Sequence, residues 1–483
     1  MTQAFNLAQV ILDTAQRYPE RAAFRAPGGT IGYERFAQTV LGYAARMREL
    51  GIDRNARVSI AVLNPVLQIW TALACALLGC GWVHGNKSVA GNDSLGVTHV
   101  VRSGNEAGLE SDLCIDKSWL PQREMDVKTF EGFASPDSIW VIAQSSGTTG
   151  NTKFMAISAA AQSRRLANNP FDYLGDAPPV ACSLMHPLSV YGMEYVLKPL
   201  MMGGTVVVSD NIRFMAAAGV TTVIGAPSQY LPLCEQPPHA KIPCAVIGGA
   251  HCSEELFDRL LERFELIQHQ FGCSEMGRIS FNRFGAGAAN RGSVGKPIPS
   301  AQIQIVDSGD RPVPAGNGGV LRVRSDAPIS GYIGGEPSGA FRSGWFYSGD
   351  TGFLSEDGAL TVTGRVNDVV NFGGTKLDAN ALDDAIAATE GVKEGVCFAQ
   401  AGFSPMDEMA VLIVPSGGND AKLVARRVHA NLAAKFGLAA RRIYVAAALP
   451  RNDNGKIARR MLSQFVADRV PFEIAEKATN AER

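Results

Sequence analysis

The chain has 483 residues, 46% of them hydrophobic and 19% charged, a globular composition that excludes wholesale disorder. Lys plus Arg total 45 and Asp plus Glu 46, and the formal net charge of −1 excludes bulk electrostatic binding of nucleic acid or of an anionic membrane. At roughly 100–200 residues per domain, the length predicts two to four domains or subdomains.

Residues 1–20 read as an amphipathic helix carrying Asp13 and Arg17, not as a secretory signal. Residues 31–50 form the next helix, ended by Gly51. Between Arg57 and Lys87 no Asp, Glu, Lys or Arg occurs. Asn64-Pro65 and Gln68 interrupt that run, which divides into a strand at 58–63 and a helix at 66–78. It reads as a buried α/β unit, with no membrane span. Short apolar runs at 205–209, 221–225, 245–248 and 266–271 read as buried parallel strands. Ser253 followed by Glu254 and Glu255 starts a helix between the last two. The alternation over the first 350 residues predicts a layered α/β architecture.

After about Gly285 the pattern becomes antiparallel, with runs at 302–306, 319–323 and 352–363 and a hairpin turn at Glu356-Asp357-Gly358. Beyond Arg365 comes a compact α+β tail, with a helix near 380–389, strands at 396–399 and 409–414, and a helix at 421–435. A boundary at 364–368 divides the chain into an N-terminal domain, 1–365, and a small C-terminal domain, 366–483. The nine cysteines are scattered and form no CxxC pair, which predicts a reducing, cytoplasmic setting.

The strongest local signal is Ser145-Ser146-Gly147-Thr148-Thr149-Gly150-Asn151-Thr152-Lys153, after an apolar strand at 139–143. Glycines admit a ligand close to the backbone, hydroxyls donate hydrogen bonds and the lysine supplies charge, as a polyphosphate requires. A Ser/Thr/Gly-rich surface turn has the same composition, so this segment alone leaves both readings open. Phe271-Gly272-Cys273-Ser274-Glu275 follows a predicted strand, where α/β ligand sites form. Ser348-Gly349-Asp350 precedes an antiparallel hairpin. Gly364-Arg365-Val366-Asn367-Asp368, Gly373-Gly374-Thr375-Lys376 and the tail segment Pro450-Arg451-Asn452-Asp453-Asn454-Gly455-Lys456 complete the set.

In order and spacing, over nearly the whole chain, these segments resemble the adenylate-forming superfamily of acyl-CoA synthetases, adenylation domains and luciferases. The resemblance implies a large N-terminal domain and a small mobile C-terminal domain, with the active site between them. It also implies a two-step reaction. A carboxylate attacks the α-phosphate of Mg-ATP, giving an acyl-adenylate and pyrophosphate. A thiol then displaces AMP, giving a thioester. The implied catalytic residues are Lys456, Glu275, Thr148 and His186. Ser145, Ser146, Gly147, Thr148, Thr149, Gly150 and Lys153 would hold the β- and γ-phosphates. Glu275 would be the Mg²⁺ ligand, since that ion takes hard oxygen donors. Asp350 would accept from the ribose hydroxyls, with Arg365 adding contacts to ribose or phosphate. Gly248, Gly249 and Ala250 would run beside the adenine, with Phe271, Gly272, Cys273 and Ser274 next to them. Lys456 would reach the α-phosphate and carboxylate.

For the acyl pocket, the segment 183–192 supplies His186 as a gate, with Tyr191, Gly192, Gly248, Gly272 and Met276 as wall residues. Phe271 reads equally as core, and His186 equally as a satisfied core histidine. No Asp lies between Ala181 and Tyr195, so a substrate ammonium would lack a charge partner and a simple carboxylic acid is favoured. The sequence departs from the family pattern at Thr152, in place of proline, and at the hinge position Asn367. It departs also at Ala379 and Ala381, and in a short region at 83–135. Coenzyme A is the expected thiol. The alternatives are a carrier-protein thiol or an amine as acceptor, and a non-catalytic nucleotide-binding scaffold.

Overall fold

The computed structural model describes residues 6–473, apart from 87, 104–111, 122–123, 147–151, 238–239, 336–338, 367–368, 373–374, 402–406, 438–439, 441, 452–456 and 458. Its contacts group into two units, each discontinuous in sequence. One comprises Met1–Cys252, Leu256–Ile303 and Val323–Phe346, and the other Ser253–Glu255, Gln304–Arg322 and Tyr347–Arg483.

The uncharged run after Arg57 shows how local chemistry sets an element. The helix Pro65–Leu78 starts because the Asn64 side chain accepts from the N–H groups of Val66 and Leu67, and Pro65 at the first position needs no donor of its own. It stops at Gly79, which takes a left-handed φ of 71°. A Cβ there would lie 2.1 Å from the Gly132 carbonyl oxygen, so glycine is demanded twice. The helix is buried over most of its length, and the apolar run is a core unit.

The first unit holds two large sheets. A nine-stranded sheet runs from Lys296–Pro297 through Gly277–Phe284, Phe264–Cys273, Ile242–Gly248, Thr222–Gly225, Val180–Ser183, Thr205–Val207 and Ala22–Ala26 to Gly29–Gly32. Its middle is parallel and its two ends are antiparallel. A seven-stranded sheet runs from Gly331–Ile333 through Thr152–Ser158, Ile139–Ser146, Gly81–His84, Arg57–Ala61 and His99–Ser103 to Leu113–Ile115. Its interior strand Ile139–Ser146 begins as a continuous apolar run, Ile139 to Ala143, with Trp140 to Ala143 buried. Trp82 and Trp140 lie fully buried at a ring separation of 6.5 Å.

Two sequence expectations change. The run at 266–271 is a longer strand, Phe264–Cys273, parallel to Ile242–Gly248 on one side but antiparallel to Gly277–Phe284 on the other. The Phe271–Glu275 motif therefore forms the end and turn of a hairpin, rather than a loop after a parallel strand. The hairpin expected within 352–363 forms from the strands Trp345–Leu354 and Leu360–Arg365, with Gly358 of the expected turn at φ 83° between them. Ser348 to Asp350 lie inside the first of these, not ahead of it.

In the second unit, Val392–Ala401, Asp407–Pro415, Arg442–Val445 and Phe472–Glu473 form a four-stranded sheet. The helices Ala379–Ala387 and Ala421–Phe436 pack their apolar stripes, including Leu382, Ile386, Val424 and Val428, on one of its faces. Asp383, on the first helix, pairs with Arg459 and accepts from the Cys397 N–H at 2.7 Å.

Candidate active site

The two sheets of the first unit bring several of the expected residues together. Ser145 and Ser146 end one strand and Lys153 lies near the start of the next, Ser145 directly opposite Lys153. Gly147, Thr148, Thr149 and Gly150 lie outside the described residues. The base of this hairpin is fixed by Gln144, which donates to the His84 carbonyl at 2.7 Å and accepts from Asn86 at 2.7 Å. The next strand, Gly331–Ile333, places the Tyr332 ring 6.0 Å from the Lys153 ammonium. The Tyr332 hydroxyl donates to Glu275 Oε1 at 2.9 Å. Lys153 and Glu275 thus meet the same tyrosine, which the sequence motifs did not single out.

Glu275 sits in the turn between Phe264–Cys273 and Gly277–Phe284, a position set by the hairpin and by Gly277 at φ 75°. Among the described residues, no group of three or more His, Cys, Asp or Glu side chains could hold a metal ion. One carboxylate fits Mg²⁺ bound chiefly through substrate phosphates and water, the usual arrangement for that ion.

Gly248 ends the strand Ile242–Gly248 opposite Gln270, while Gly249 and Ala250 beyond it are exposed. A Cβ on Gly248 would come within 2.8 Å of the Gln270 carbonyl oxygen and 3.4 Å of the Tyr191 hydroxyl. On the neighbouring strand Phe271 and Cys273 are half-buried, as is Ser274 in the turn. A Cβ on Gly272 would lie 2.6 Å from the Gly277 carbonyl oxygen. Both glycines are required by backbone packing, whatever ligand lies beside them.

Tyr191 and Gly192 open the helix Val190–Met201, whose Ser189 cap accepts from the Gly192 N–H at 3.0 Å. Gly192 carries no side chain because a Cβ would lie 2.2 Å from the His186 carbonyl oxygen. The buried Tyr191 hydroxyl has no hydrogen-bond partner among the described residues, and Met276 is buried. His186 Nδ1 accepts from the Leu188 N–H at 3.2 Å, and its Nε2 lies 3.4 Å from the Gln68 side-chain amide nitrogen. Its ring lies over that of His84 at 4.1 Å. Burial and then the neighbouring His84 lower its pKa to about 4, so the imidazole is neutral at pH 7. Sequence patterning gave no sign of His84, since it is an ordinary strand-end residue until the fold sets it beside His186.

In the second unit Asp350 is buried at 8% exposure and faces Arg365 across the hairpin. The Arg365 Nε donates to Asp350 Oδ1 at 2.8 Å, and its Nη2 donates to the Ser348 carbonyl at 3.2 Å. Asn367 and Lys456 lie outside the described residues. The flanking Arg451 and Ile457 form an antiparallel bridge.

A family model described as AMP-binding enzyme matches residues 84–333. A 2-succinylbenzoate–CoA ligase of Bacillus mycoides (strain KBAB4) is 22% identical over 476 residues, covering 93% of this chain and 97% of its own. Among solved structures, an o-succinylbenzoate CoA synthetase from Bacillus subtilis, in complex with its acyl-adenylate intermediate, aligns with a TM-score of 0.81 at 19% identity, over 94% of this chain and 97% of that one. An amide bond synthetase from Marinactinospora thermotolerans aligns with a TM-score of 0.76 at 20% identity, over 95% and 99%. At these identities the structural likeness shows the fold.

Proposed function

The chain belongs to the family of AMP-binding enzymes, and on that premise we propose that it is an AMP-forming ligase that activates a carboxylic acid and transfers it to coenzyme A. The observation that carries the proposal is the grouping of Lys153, Tyr332 and Glu275 at the rim of the Ser145–Lys153 hairpin. It sets one cation and one carboxylate where a magnesium-bound polyphosphate needs both.

ATP is the co-substrate. Ser145 to Gly150 and Lys153 hold its β- and γ-phosphates, and Glu275 is the protein ligand of Mg²⁺, which neutralises phosphate charge when bound. Asp350 accepts from the ribose hydroxyls, oriented by Arg365. Gly248, Gly249, Ala250 and Phe271 to Ser274 line the adenine. Lys456, on a C-terminal domain beginning at 366, faces the charge that develops at the α-phosphate. Asn367 is the hinge of that domain. His186, Tyr191, Gly192, Gly248, Gly272 and Met276 line the acid, with neutral His186 as the gate of the acyl pocket.

The CoA ligase relative supports coenzyme A as the acceptor. None of the nine cysteines is in a disulfide and seven are buried, which supports a reducing, cytoplasmic setting. Among the described residues, no helix is long and apolar enough to cross a membrane. The test is a pyrophosphate-release screen over short, long and aromatic acids, with coenzyme A, a carrier-protein thiol, an amine or no acceptor. Acid-dependent pyrophosphate release and a coenzyme A thioester are expected. ATP binding without pyrophosphate release from any acid would instead make the chain a nucleotide-binding scaffold.

A further inference from the structure

Arg165 is 4% exposed on the helix Ala159–Ala167, an unusual place for a guanidinium. It donates from Nε to the Ala327 carbonyl at 3.0 Å and from Nη2 to the carbonyls of Ser274, at 3.1 Å, and Glu275, at 3.3 Å. The Ile329 N–H donates to the same Glu275 carbonyl at 2.8 Å. A buried cation needs a compensating anion, and Glu194 is the leading charge that offsets the effect of burial on Arg165. Burial raises the Glu194 pKa, and Arg165, followed by Arg278, offsets part of that rise. Glu194, Lys198, Arg278 and Arg165 border a cavity of about 10 Å³, room for one water. This network gathers one carboxylate and three cations. It ends on the backbone of the Glu275 turn, while Tyr332 binds the Glu275 carboxylate from the other side at 2.9 Å.

We propose that Arg165 and Tyr332 are positioning residues for Glu275: Arg165 fixes the turn that carries it and Tyr332 fixes its carboxylate, so that the side chain meets magnesium-bound ATP without rearranging. This rests on the reading of Glu275 as the magnesium ligand. Outer contacts of this kind typically change metal affinity 10–100-fold when removed. Arg165→Lys keeps the charge opposite Glu194 but loses the planar fork that spans three carbonyls. Tyr332→Phe removes one hydroxyl and leaves the ring against Phe341, at 6.4 Å.

The experiment measures acyl-adenylate formation against magnesium concentration. It also measures thioester formation from supplied acyl-adenylate, a step with no polyphosphate to bind. Each variant should raise the half-saturating magnesium concentration about tenfold or more. Its rate at saturating magnesium should stay close to that of the parent, and thioester formation should be unchanged. Proportional loss of both steps at every magnesium concentration would make the contacts merely structural and overturn the proposal. An unchanged magnesium dependence in both variants would overturn it as well. If Arg165→Lys does not fold, Tyr332→Phe decides alone. Glu275→Gln is the control for the underlying reading: if it leaves the magnesium dependence of a competent parent unchanged, the metal assignment falls and takes this inference with it.

Discussion

The Glu275 carboxylate has one oxygen engaged by a neutral hydroxyl, at 2.9 Å, which leaves the charge itself available to a cation. Glu275→Gln keeps the shape and removes that charge. Adenylation should fall by a decade or more, since losing a charge contact in the transition state typically costs a few kcal/mol. Initial rates at subsaturating magnesium check it, and an unchanged rate removes Glu275 from the site. His186 offers a second test, on protonation. Its folded pKa of about 4 lies below the ordinary 6.5, so between these values the unfolded chain binds the proton more readily. The group therefore makes no demand on stability above about pH 6.5, and an increasing one as pH falls toward 4. The His186 imidazole should remain neutral at pH 6, where a free histidine is mostly protonated, as NMR titration of its ring carbon would show. A midpoint near 6.5 would mean that the ring is solvated and not held against His84.

At the scale of elements, caps and periodicity were legible because they are local. Asn64-Pro65 and Gly79 bound a helix through contacts with their own chain neighbours. Strand direction was less legible. The antiparallel partner of Phe264–Cys273 is decided by the turn at Glu275, which the apolar pattern of 266–271 does not encode. Arg165 was invisible for a stronger reason: it bonds to a turn 109 residues away, and only the fold distinguishes it from Arg164 beside it. Two changes test positions set by these elements. Gly79→Ala forces a side chain into a left-handed conformation and against the Gly132 carbonyl. It should cost on the order of 1–3 kcal/mol or more, read as a lower denaturation midpoint. An unchanged midpoint would show that the helix end relaxes freely. Asp350→Ala removes the acceptor proposed for two ribose hydroxyls, and each lost charged hydrogen bond should cost about 1.5–3 kcal/mol at most. Deoxy-ATP analogues should then lose their disadvantage, and a mutant that still discriminates as well as the parent would refute the ribose assignment.

At the scale of the whole molecule, the chain carries its proposed chemistry on separate stretches, with Lys153 and Glu275 early and Lys456 near its end. Order and spacing made this arrangement legible without coordinates, because each motif is short and self-contained. Described residues on either side of Lys456 are tied to the rest of the second unit. Arg451 pairs with Glu394, and Arg459 pairs with buried Asp383 on the helix Ala379–Ala387. If the tail domain moves as a unit, Lys456 moves with it, and Asn367, where the domain is drawn to begin, is the residue proposed to absorb the backbone change. Its short polar side chain tolerates uncommon φ/ψ better than a branched one. Lys456→Ala should therefore cripple acyl-adenylate formation while leaving thioester formation from supplied acyl-adenylate largely intact. Asn367→Pro fixes φ and removes an N–H, and it should show the opposite bias if adenylation is the conformation that it permits. The assay supplies synthetic acyl-adenylate with thiol and measures AMP release, beside pyrophosphate release from acid and ATP. If Lys456→Ala slows both half-reactions equally, the lysine serves a single fixed site, and alternation of the tail domain is the wrong account.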